Sequence, residues 1–216
     1  MPIPHTTLKS RHRQERDTWP ADTSLRIHRS LSWLHCAESC PDEDGRFIFL
    51  WIAFNAAYAS DDESIRLGEG TRYTGFLKRL VALDGSGCLE SLVWDQFSGP
   101  FRVLLNNRYV FQPFWDHARR ATDAPDWEER FNRANASALK AIARRDTPQV
   151  LRTVFSRLYT LRNQLIHGGA TWGSATNRQQ LRDGVRIMSE LVPVLIQIMM
   201  GNPAEAWGEV CYPVQP

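Results

Sequence analysis

Arg162, Asn163 and His167 fall within six positions of one another, and together these types can act on a polyanion. A guanidinium grips a phosphate through two parallel hydrogen bonds. An imidazole, as a side-chain type with a pKa near about 6.5, gives or takes a proton close to neutrality. A carboxamide donates to a phosphate oxygen or sets the orientation of a neighbouring ring. The bare spacing of Arg and His is a weak signal: with this many Arg, about two such pairs arise by chance. Arg29 and His35 form one of them. That pair has no Asn after its Arg and no glycine stop after its His, and it sits in mid-helix.

A helix over 147–169 must position the set. Thr147 suits an N-cap, and Pro148 suits the first helical position, where a missing N–H costs nothing. Gly168 and Gly169 permit the left-handed turn that commonly ends a helix. Between them Val150, Leu151, Val154, Phe155, Leu158, Leu161 and Leu165 recur at helical spacing, which makes one apolar stripe. That stripe spans about 140° of the helix. Arg162 falls inside its edge, about 50° from the centre, so it must be paired or face a cleft. Asn163 and His167, four residues apart, share a neighbouring face. Arg162 and His167 stand about 140° apart. They can still converge on a ligand beside the helix end, or meet a second copy across a twofold axis. In the competing assignment His167 merely favours the negative end of its helix, and Arg162 pairs with an interior acid.

The 216 residues suffice for one domain with a substantial core. A hydrophobic content of 43% and a charged content of 23% are those of an ordinary soluble globular chain. With a net charge of +2 there is no global field to draw in nucleic acid, so any polyanion site must be a local cluster. Lys occurs only at 9, 78 and 140; Arg suits phosphate, although codon bias gives the same imbalance. The cysteines at 36, 40, 88 and 211 form no CxxC pair, and no signal peptide precedes them. A cytoplasmic, reducing setting is therefore the expectation. Cys36, Cys40 and His35 lack further ligands at useful spacing, so packing is expected there, with no metal and no cofactor. The apolar run 192–200 contains Gln197 and is too short to cross a bilayer, so no membrane partner is expected.

Residues 1–20 are polar, with Arg11, Arg13 and Arg16 clustered, and read as a mobile arm. Residues 21–201 read as a single helical domain and 202–216 as an irregular tail. A first helix runs from Asp22 or Thr23 to about Cys40. The next segment, FIFLWIAFNAAYA, holds Asn55 as its only strongly polar residue, the mark of a central helix buried all round. A buried Asn55 must satisfy its amide, through a helix–helix hydrogen bond or by orienting a site residue on a neighbouring helix. A loop over 61–70 precedes a helix over 73–83. Residues 84–125, broken by Gly and Pro, read as an irregular insertion with short helices such as 88–97 and 101–111. Helices over 126–145, 147–169 and about 177–200 follow, the last kinked at Pro193. Strand alternation is absent, so the chain reads as all-α.

Phosphate-loop, dinucleotide, zinc-protease and hydrolase-elbow motifs are all missing. Arg162-Asn163-Gln-Leu-Ile-His167 at a helix end instead resembles the signature of the HEPN superfamily, the higher eukaryotes and prokaryotes nucleotide-binding domain. The segment FIFLWIAFNAAYA resembles the buried helix of one branch of that superfamily. The resemblance covers about 23–60 and 147–200 of this chain. It implies an up-and-down helical bundle, here with short helices inserted in mid-chain, usually dimerised so that two signatures face each other. It also implies a metal-independent endoribonuclease acting as a toxin or phage-defence effector, with RNA, a second copy and an antitoxin or regulator as partners. Other members have lost catalysis and bind RNA or protein. Cleavage through the RNA 2′-hydroxyl needs a base, an acid and a cation for the phosphorane. His167, a second His167 and Arg162 would supply them, with Asn163 on a phosphate oxygen or the imidazole, and Asn55 in support. Some toxin members carry a Tyr two residues after the His; Gly169 stands there in this chain, which speaks against control by modification of that Tyr.

Overall fold

The computed structural model describes residues 3–59, 69–119, 126–175, 177–210 and 212, with the side chains of 69–72 and 98 left aside. Among the described residues ten α-helices follow one another: α1 (His5–Glu15), α2 (Ala21–Ser39), α3 (Glu43–Tyr58), α4 (Glu69–Leu83), α5 (Cys88–Ser91), α6 (Ser98–Leu105), α7 (Gln112–Ala118), α8 (Trp127–Ala143), α9 (Thr147–Ile166) and α10 (Arg178–Gly201). A π-helical segment, Leu92–Gln96, follows α5. No strand occurs among the described residues, so the chain is all-α. It divides into two compact units, one of residues 1–88 with 185–216 and one of 89–184. The boundaries expected at 20 and 201 do not coincide with this division.

In the first unit α2 and α3 make the most extensive helix pair. Asp42 caps α3 by accepting from the Gly45 N–H at 2.8 Å, and Glu43 and Asp44 favour the positive end of the same helix. A Cβ at Gly45 would stand 2.8 Å from the Cys40 Sγ, so only glycine lets the turn approach this closely. Phe47, Leu50, Trp51, Phe54, Ala57 and Tyr58 are buried along α3. The aromatic row continues through Tyr73 and Phe76 to Trp207. Ser30 donates to the Ala53 carbonyl at 2.7 Å and ties the two helices together. Arg26, 1% exposed, satisfies its guanidinium on main-chain carbonyls: Ala57 at 3.1 Å, Gly208 at 3.1 Å, Glu209 at 3.0 Å, and Ala59. It clips the segment after α10 to the end of α3.

The polar arm expected over 1–20 is instead helical over His5–Glu15, with Leu8 and His12 buried. Those two residues lie one turn apart and supply a narrow inner face that surrounding Arg and Lys conceal in a composition count. His12 donates from its Nε2 to the Ser24 carbonyl at 3.2 Å and packs edge-on against Trp19. The expected loop over 61–70 lies outside the described residues up to 68; Glu69 and Gly70 belong to α4. Over an 18-residue window α10 is long and apolar enough to cross a membrane, and 72% of that window is buried within the protein. Pro193 lies inside this helix.

In the second unit α9 packs on α8 and α6. Val150, Leu151, Val154, Phe155, Leu158 and Leu161 are buried, and Leu165 is half-buried, as the stripe requires. The cap is Asp146 rather than Thr147: its carboxylate accepts from the Gln149 N–H at 3.1 Å. Thr147 is buried, and its hydroxyl accepts from the Trp94 Nε1 at 3.0 Å. The short helix expected at 101–111 is α6 followed by a 3-10 turn, Arg108–Val110, and α7 adds a further helix.

Candidate functional site

The three motif residues sit where α9 stops. Ile166 is its last residue and His167 its C-cap. The Gly169 N–H donates to the Gln164 carbonyl at 2.7 Å, and the Gly168 N–H to the Leu165 carbonyl at 3.2 Å. These two bonds, with Gly168 at φ +68°, form a Schellman stop. The His167 N–H closes the preceding turn on the Asn163 carbonyl at 3.0 Å. The His167 main chain is thus fixed at both sides, while its side chain is exposed and makes no hydrogen bond among the described residues.

Arg162 is half-buried. Its Nη1 donates to the Asn163 Oδ1 at 3.0 Å, and its guanidinium lies 5.8 Å from the Tyr159 ring centroid. Its Nε is buried with no acceptor. No carboxylate reaches ion-pair distance of this guanidinium among the described residues. The interior acid of the competing assignment is therefore missing from the described residues, and a cation left so is free to meet an anion. Asn163, half-buried, holds Arg162 through its amide oxygen. Two apolar residues flank the imidazole in sequence and are exposed: Ile166, and Trp172 at 80%.

Asn55 belongs to the first unit, the other three residues to the second. On α3 it is half-buried, and its Oδ1 is buried without a partner. No group of three or more His, Cys, Asp or Glu capable of holding a metal occurs among the described residues. Cys36, Cys40 and Cys88 are free thiols; Cys211 lies outside the described residues.

Two participants were invisible in the motif. Gln164, between Asn163 and His167, donates to the Tyr109 carbonyl at 2.6 Å and accepts from the Asn177 Nδ2 at 2.9 Å. It ties the helix end to the 3-10 turn before α7 and to the start of α10. Arg157, 2% exposed, lies 4.4 Å from the Phe111 ring centroid and 5.4 Å from that of Phe131. Burial pushes its pKa down to about 10. Among the described residues its hydrogen bonds are long, 3.3 Å to the Asn135 Oδ1 and 3.5 Å to the Leu105 carbonyl. Neither residue could be told from the surrounding helix by type alone, because each acts through segments distant in sequence.

In comparisons with known proteins, no family model, no curated protein and no solved structure matches this chain. The HEPN resemblance rests on the motif residues and the α3 segment.

Proposed function

We propose that the chain is a HEPN-like, metal-independent endoribonuclease that cleaves RNA through its 2′-hydroxyl, with toxin or defence character and with its site completed across a homodimer. The observation that carries the reading is the Arg162 guanidinium. It is half-buried at the tip of α9, without a carboxylate among the described residues, five positions before the exposed C-cap imidazole. In this scheme Arg162 grips the scissile phosphate and offsets the charge that builds on the phosphorane. One His167 takes the 2′-hydroxyl proton as that oxygen attacks phosphorus. The second His167 protonates the departing 5′-oxygen. The products are a 2′,3′-cyclic phosphate and a 5′-hydroxyl. Exposed Ile166 and Trp172, one and five positions from His167 in sequence, are suited to cover by a second copy.

A second reading, a non-catalytic HEPN-like module that binds RNA or a protein partner, is favoured by one detail: nothing among the described residues holds the His167 ring in place. Incubation with total RNA in EDTA separates the two. Cleavage by the wild-type protein, reduced at least about a hundredfold in both His167→Ala and Arg162→Ala, is the expected result. RNA bound but uncut by the wild type would establish the module instead.

A further inference from the structure

A cavity of ≈ 890 Å³ opens in the second unit, lined by Val103, Asn106, Asn107, Arg108, Tyr109, Trp115, Phe131, Asn177 and Gln180. Its chemistry is selective. No Asp or Glu lines it, and Arg108 does. Tyr109 is 41% exposed, a large fraction for a ring of its size. The polar atoms of the aromatic residues are already engaged: the Trp115 Nε1 donates to the Tyr109 carbonyl at 2.8 Å, and the Tyr109 hydroxyl accepts from the Arg108 Nη2 at 3.1 Å. What they offer the cavity is ring surface. The amides are in the opposite condition. Gln180 makes no side-chain hydrogen bond among the described residues, and Asn107 uses only its Oδ1, on the Tyr109 N–H at 2.8 Å. Ring faces beside unspent donors and acceptors, with a cation and no carboxylate, fit a flat heteroaromatic group that carries an anion.

The cavity is joined to the motif. Gln164 holds the Tyr109 carbonyl and Asn177 together, and both residues line the cavity. Gln164 and His167, three positions apart on the helix end, project about 60° from each other. We infer that this cavity is a specificity subsite that takes one unpaired base of the RNA, splayed out of its stack, while the adjoining phosphate reaches the helix end. The inference rests on the ribonuclease reading for the identity of the ligand, and on the cavity alone for its shape and chemistry. Single-stranded RNA is the form that can present such a base. Tyr109 supplies the stacking surface, and Gln180 and Asn107 read the base edge.

The test measures binding of a labelled single-stranded RNA hexamer in a His167→Ala background, which leaves the RNA intact, beside a hexamer of the same sugar–phosphate chain without bases. Tyr109→Leu keeps the main-chain carbonyl that Gln164 and Trp115 use. Gln180→Ala removes an amide that makes no hydrogen bond among the described residues, so the substitution leaves the packing there in place. Each is expected to weaken binding of the base-bearing hexamer, by about tenfold for Tyr109→Leu and several-fold for Gln180→Ala. The baseless hexamer should bind all forms equally. Equal binding of the base-bearing hexamer by parent and both variants would overturn the subsite, as would equal weakening of the two hexamers. A free 5′-mononucleotide binding as tightly as the hexamer would also overturn it, by identifying a nucleotide rather than RNA as the ligand. Cleavage of total RNA by the wild type, followed in parallel, keeps the two ideas apart. Cleavage without a binding effect removes only the subsite, and a binding effect without cleavage removes only the nuclease.

Discussion

Two buried arginines in this protein solve the same difficulty differently. Arg26 spreads its N–H groups over four main-chain carbonyls. Deleting it strands those acceptors, which is the costly direction for a buried polar contact. Arg26→Met is expected to lower unfolding free energy by about 3 kcal/mol, read as a shifted urea midpoint with the slope unchanged. Arg157 is held by two long hydrogen bonds and two aromatic faces, and burial lowers its pKa to about 10. Its removal leaves little unsatisfied. Arg157→Met should therefore fall within about 1 kcal/mol of the wild type, whereas Arg157→Ala, which also opens a void, should cost about 2 to 4 kcal/mol. A methionine variant as damaged as the alanine one would show that the cation itself is needed. Neither arginine was legible beforehand. A guanidinium satisfied by backbone from residues 57, 208 and 209 leaves no signal in the types around position 26.

At the scale of elements, α9 was the most readable part of the chain. Its stripe from Val150 to Leu161 is buried at the expected period, and the glycine pair stops it where expected. The misplacement of the cap by one residue has a local cause. Asp146 and Thr147 both suit an N-cap, and the indole of Trp94 claims the threonine hydroxyl. The α1 helix escaped notice because its inner face consists of Leu8 and His12 alone. At the far end of α9, the left-handed φ of Gly168 makes a concrete demand. Gly168→Ala should cost about 1 kcal/mol in thermal or chemical stability. It should reduce RNA cleavage further than that loss explains, because it displaces the residue following the imidazole. Cleavage unchanged in a destabilised Gly168→Ala protein would separate the helix stop from the chemistry. The cavity under Tyr109 was not legible at all. Its wall is drawn from α6, α7, α8 and the approach to α10, and no periodicity links those segments.

For the molecule as a whole, acid is expected to weaken the first unit through His12. Burial depresses the pKa of this imidazole, the carbonyl of Ser24 opposes that shift, and Lys9, His28 and Arg16 add to it. The folded state thus binds this proton less readily than the unfolded chain does. The stability it contributes is fully present above about pH 6.5, the unfolded value, and declines as the pH falls through and below it. Urea midpoints at pH 7.5 and pH 5.5 should differ more for the wild type than for His12→Gln; equal differences would remove His12 from the account.

The first unit is assembled from two stretches far apart in sequence, residues 1–88 and 185–216, with Arg26 waiting for carbonyls at 208 and 209. During translation that unit cannot close until residues 185–216 have left the ribosome. At an ordinary synthesis speed of about 5 to 20 residues per second, α2 and α3 spend many seconds as nascent helices with their carbonyl acceptors and aromatic row incompletely covered. A chain released early, before residues 185–216 exist, would present those surfaces to chaperones and proteases. Quality control thereby gains a checkpoint at the arrival of residues 185–216.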